Sequence, residues 1–131
     1  MLDFEEVREI LTQYADELPA EIFKHLDGGI ILLPEYKLHP ESRREDRLHI
    51  MGEYHVDPRG LGRYITIYYG SFERVYGSAS TATLERKLRE VLHHELTHHI
   101  ESLAGDYSLE RWDVEQLDSY HGNGEDNGKP E

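Results

Sequence analysis

Residues 82–103 carry the longest helical pattern in the chain, with Leu84, Leu88, Val91, Leu92, His99 and Leu103 returning to one stripe at about 100° per residue. Glu85, Arg86, Arg89 and Glu90 fall largely outside that stripe. A helix this long must lay its apolar side on another layer, and a chain of 131 residues has material for one core. Ser80 or Thr81 is placed to cap its start, and Gly105 is placed to end it in a left-handed conformation.

The other layer is legible in outline. Phe4, Val7, Leu11, Tyr14 and Leu18 predict an amphipathic helix over 3–18, with Asp3 and Glu6 at capping-box spacing and Pro19 as a stop. A short helix follows over 20–27, and the Asp27-Gly28-Gly29 turn opens an apolar strand at 30–33. Residues 48–56 predict a second strand, 57–60 a turn, and 63–69 (RYITIYY) the clearest strand of all, closed by Gly70. Ser108 is placed to cap a last helix over 109–120, with Leu109, Trp112 and Leu117 for packing. Residues 121–131 have no apolar anchor and predict a disordered acidic tail. The expected fold is α+β, one domain over 1–120 with helices at both ends.

Fourteen Lys and Arg stand against 27 Asp and Glu, a net charge of −13, which argues against nucleic acid as a partner and favours cationic groups by attraction. No Cys is present, so disulfides, thiolate catalysis and Cys-based zinc sites are excluded. MLDFEEVREI lacks the basic start and apolar run of a secretory signal, and no segment approaches 18 consecutive apolar residues. The expectation is a soluble, cytoplasmic protein without a membrane partner, a monomer or weak homo-oligomer.

Four of the nine His fall in seven consecutive positions, His93, His94, His98 and His99, and His94 to His98 reads HExxH. One helical turn separates His94 from His98, so their imidazoles share a face and suit Zn2+. Glu95, beside that face, is the candidate catalytic base for a metal-bound water attacking a peptide carbonyl. A catalytic zinc needs a third protein ligand. Asp106 is favoured because Gly105 can turn the chain back; Glu101, Asp113 and His99 are alternative ligands or neighbours of the site. His93 is expected on the surface and His99 in the core. Tyr54, Tyr69 and Tyr107 are candidate oxyanion donors.

HHELTHHIESLAGD resembles the active helix of the small bacterial zincin-like metallopeptidases, minimal relatives of the metzincins. Family members commonly continue HExxHH with an apolar residue and a Gly; here His99 and Ile100 are kept, while Glu101 stands where the Gly is expected. The resemblance implies zinc on His94 and His98, Glu95 as the catalytic residue, and a small mixed sheet against the helix with an edge strand above a cleft. It also implies hydrolysis of an extended peptide or flexible protein segment, added as a strand along 63–69 or 48–56. Two other readings stay open: a zinc-stabilised protein-interaction module without catalysis, and a metallohydrolase of small amides.

Overall fold

A computed structural model describes residues 1–106. The expected helix over 109–120, the tail at 121–131, Asp113 and Tyr107 lie outside the described residues. Helix α1 (Phe4–Asp16) begins on a reciprocal capping box: Asp3 accepts from the Glu6 amide at 2.9 Å, and Glu6 accepts from the Asp3 amide at 2.9 Å. The predicted short helix is a 3-10 turn at Ala20–Phe23.

Five strands follow: β1 (Gly29–Leu33), β2 (Lys37–Leu38), β3 (His49–Ile50), β4 (Gly52–Asp57) and β5 (Gly62–Tyr68). β5 is the centre of a three-stranded mixed sheet in the order β1-β5-β4, parallel to β1 and antiparallel to β4. β2 and β3 pair separately as a short antiparallel arm. The predicted strand 48–56 is therefore two strands. His49 and Ile50 pair with β2, while the Met51 carbonyl accepts from the Tyr68 amide at 2.9 Å and starts the β4 register.

Helices α2 (Tyr69–Tyr76) and α3 (Thr81–Asp106) complete the described chain. Gly70, expected to close a strand, lies inside α2. A Cβ there would stand 2.6 Å from the backbone of Glu35 and Tyr36, so only glycine allows the helix to leave the strand this closely. Ser80 caps α3, its Oγ accepting from the Thr83 amide at 3.1 Å.

The core lies between α1, α3 and one face of the sheet. Val7, Leu11 and Tyr14 from α1, Ile65 and Ile67 from β5, and Leu84, Leu88, Leu92, Leu96 and Ile100 from α3 are all buried. Phe72 ties α2 to the same cluster. The molecule is a small α+β domain, and no helix among its described residues is long and apolar enough to cross a membrane.

Candidate functional site

α3 and β4 diverge to leave a cleft of about 940 Å³. One wall is β4 from Gly52 to Val56, the other is α3 at His94, Glu95, His98, Glu101 and Ser102, and His39, Pro40 and Ile50 close one end. The i, i+4 spacing brings His94 and His98 together as expected, with Nε2 atoms 3.1 Å apart and ring planes at 85°. Glu101 stands 3.9 Å from His98 Nδ1.

Glu95 is 6% exposed, and burial pushes its carboxyl up to about 7, with the negative charge of Glu53 adding to the effect. It can therefore donate a hydrogen bond at neutral pH as readily as accept one. Glu53, across the cleft on β4, is held below the usual carboxylate range. Its own desolvation works the other way and is outweighed by hydrogen bonds from Lys37 Nζ at 2.9 Å and the Tyr68 hydroxyl at 2.8 Å.

Behind the cleft runs a buried polar chain. His99, fully buried as expected, meets the Lys24 carbonyl with Nε2 at 2.9 Å and the Tyr54 hydroxyl with Nδ1 at 2.8 Å. A carbonyl only accepts, so Nε2 carries the hydrogen and Nδ1 accepts from Tyr54. Arg63 in turn donates to the Tyr54 oxygen at 3.0 Å and also reaches Ser102. The Tyr54 hydrogen is thereby committed to His99, away from the cleft. Tyr69 donates to the Leu2 carbonyl at 2.7 Å, so it too is engaged elsewhere.

The expected zinc centre is corrected by this geometry. Among the described residues no group of three or more His, Asp or Glu is placed to hold a metal ion. Among the described residues, His94 and His98 are not joined by the third ligand a catalytic zinc requires. The physical reason lies in the helix. Gly105 does not take the left-handed turn expected of it, and α3 continues through Asp106. Eight residues at about 1.5 Å each carry Asp106 roughly 12 Å along the axis from His98. Zinc as cofactor, peptide hydrolysis by a zinc metalloendopeptidase, the small-amide metallohydrolase, the zinc-stabilised module and membership of the zincin-like metallopeptidases are all set aside on this ground.

His93, expected on the surface, is 7% exposed. Helix α3 meets α1 on one side and β4 and β5 on another, so its buried arc is wider than the apolar stripe. The residues that sequence reasoning missed are Glu53 and His55 on β4; their alternation with Tyr54 in a predicted strand was the available signal.

Fold and cleft together define a small α+β domain in which one outer strand and one long helix share an ionisable groove. No family model and no curated protein matches the chain. Among solved structures it is similar to a conserved hypothetical protein (TTHA0227) from Thermo thermophilus, at 33% identity and a TM-score of 0.67, over 80% of this chain and 100% of that one. The chain belongs to the family of that conserved hypothetical protein.

Proposed function

We propose that the domain binds an extended peptide segment as an added strand along β4, with His94, Glu95 and His98 forming the floor beneath it. The observation that carries this reading is the outer position of β4 among the described strands, beside the cleft. β5 is paired on both sides and has no edge to offer, which leaves β4 of the two segments the sequence singled out. The Tyr68 amide bonds the Met51 carbonyl, and the Arg63 carbonyl turns the other way to accept from the Gly28 amide at 2.9 Å. By antiparallel alternation, Gly52, Tyr54 and Val56 then direct their backbone donors and acceptors away from β5. An edge left unpaired among the described residues is a template for another strand. Below it the two imidazoles and the Glu95 carboxyl supply both donors and acceptors for peptide groups.

Val56→Pro tests the reading. It removes an outward amide without touching the β4–β5 ladder, and proline is tolerated at such edge positions. Fluorescence anisotropy with an extended Thr/Val-rich peptide should show affinity falling about tenfold or more on losing main-chain pairing, with the circular dichroism spectrum unchanged. Equal affinity for the parent and Val56→Pro proteins would remove β4 as the docking edge.

A further inference from the structure

The β2–β3 arm continues beyond its two paired strands. The His39 amide donates to the Leu48 carbonyl at 2.8 Å, and Arg43 and Asp46 exchange backbone hydrogen bonds at 3.1 and 3.0 Å, leaving Arg44 and Glu45 as a two-residue tip. Ser42 Oγ accepts from the Leu48 amide at 3.0 Å and fixes the base of the tip. A hollow of about 360 Å³ opens there, lined by Leu38, His39, Ser42, Arg43, Arg44 and Arg47.

Three arginines thus line one concavity and no carboxylate lines it. None of the three is ion-paired among the described residues. The 39–47 segment sets these three arginines against Glu41, Glu45 and Asp46, so in a chain of net charge −13 it is locally neutral, with its arginines lining the hollow and its acids outside that lining. Arg47 also acts inward: the His49 imidazole is held below its ordinary value, first by burial and then by Arg74 and Arg47. His39 lines both this hollow and the cleft between β4 and α3, so the two are neighbours along one surface path.

We propose that the arginine hollow is a subsite for a carboxylate-bearing side chain of the peptide held along β4, so that the ligand class is an extended peptide acidic at its His39 end. The proposal rests on the peptide-binding reading above and adds a specificity to it. Guanidinium is the side chain that grips a carboxylate through two parallel N–H bonds, and its charge persists at every physiological pH. Elsewhere the acidic surface repels a uniformly acidic ligand, so selection falls on peptides with acid at one end.

Two Thr/Val-rich peptides separate the possibilities, one carrying Glu-Glu at a terminus and one Gln-Gln, each also made with the pair at the opposite terminus because the strand can run either way. Anisotropy gives affinity, while the arginine Nε–H and β4 amide NMR signals report which region is contacted. One Glu-Glu peptide should bind about tenfold more tightly than its Gln-Gln partner at low salt, the scale expected of a charge-assisted bidentate contact. It should shift the signals of Arg43, Arg44 and Arg47, and Arg43→Gln/Arg44→Gln/Arg47→Gln should abolish the advantage while leaving Gln-Gln binding unchanged. If both peptides shift the β4 amides with equal affinity, the arginine subsite is overturned and strand addition stands. If neither shifts the β4 amides, strand addition itself fails and the subsite with it.

Discussion

Glu95 and His99 both point from α3 into buried surroundings, and burial disfavours the charged form of each, with opposite consequences in pH. Glu95 is held at about 7 against an ordinary 4.5, so the folded state binds more protons than the unfolded between these values. Its contribution therefore turns unfavourable as pH rises from 4.5 through about 7, and the cost is complete above that. Glu95→Gln keeps the shape and removes the charge. Urea unfolding should show the variant more stable than the parent at pH about 8, by up to about 3 kcal/mol at about 1.4 kcal/mol per pH unit, and little different at pH about 4. An equal difference at both pH values would mean that the carboxyl is not desolvated. His99 runs the other way: desolvation, outweighing its bond to the Lys24 carbonyl, lowers it from 6.5. Stability tied to its neutral ring is present above 6.5 and is lost as pH falls through the lowered value. Tyr54→Phe leaves His99 Nδ1 without its donor and takes one acceptor from Arg63. It should lower the unfolding free energy by about 1–3 kcal/mol, read from the urea midpoint at neutral pH.

The elements that were legible in the sequence are those whose signal is local. α1 has its capping box and apolar spacing, the middle of α3 its stripe, and β5 its β-branched and tyrosine-rich run. α2 was not legible, because its opening Tyr69-Gly70 favours strand or turn. Tertiary contacts hold it as helix: Phe72 is fully buried, and Ser71 Oγ accepts from the Lys37 amide at 3.1 Å. The candidate site was legible to the same depth. HExxH spacing placed two imidazoles side by side, whereas the fate of a third ligand depended on where α3 stops, which one glycine does not decide. Glycine substitutions test both boundaries. Gly105 is helical with nothing among the described residues within 4 Å of an added Cβ, so Gly105→Ala should raise the thermal midpoint through a gain of about 0.5–1 kcal/mol. Gly70→Ala meets backbone at 2.6 Å and should cost about 1–3 kcal/mol, or displace α2 from the β1–β2 connection. A loss of stability in Gly105→Ala would show that the chain needs a left-handed turn there after all.

At the scale of the whole molecule, charge acts in a way that no single contact carries. Twenty-seven carboxylates against 14 basic groups leave −13, and the exposed ion pairs, such as Arg8–Glu5 and Arg89–Glu17, relieve little of it. The folded chain concentrates that charge and the unfolded chain spreads it, so self-repulsion opposes folding and salt should weaken the opposition. Raising NaCl from about 0.01 M to about 1 M shortens the screening length from about 30 Å to about 3 Å. A gain of about 1 kcal/mol, worth roughly 4 °C in a domain of this size, is expected in the thermal midpoint. Affinity for the Glu-Glu peptide should move in the opposite direction, because screening weakens an arginine–carboxylate contact more than it relieves long-range repulsion from the surrounding acids. The two salt responses have different origins, one spread over the surface and one confined to the tip of the β2–β3 arm. Replacing Arg43, Arg44 and Arg47 should therefore cancel the salt dependence of the Glu-Glu advantage while leaving the rise in thermal midpoint in place.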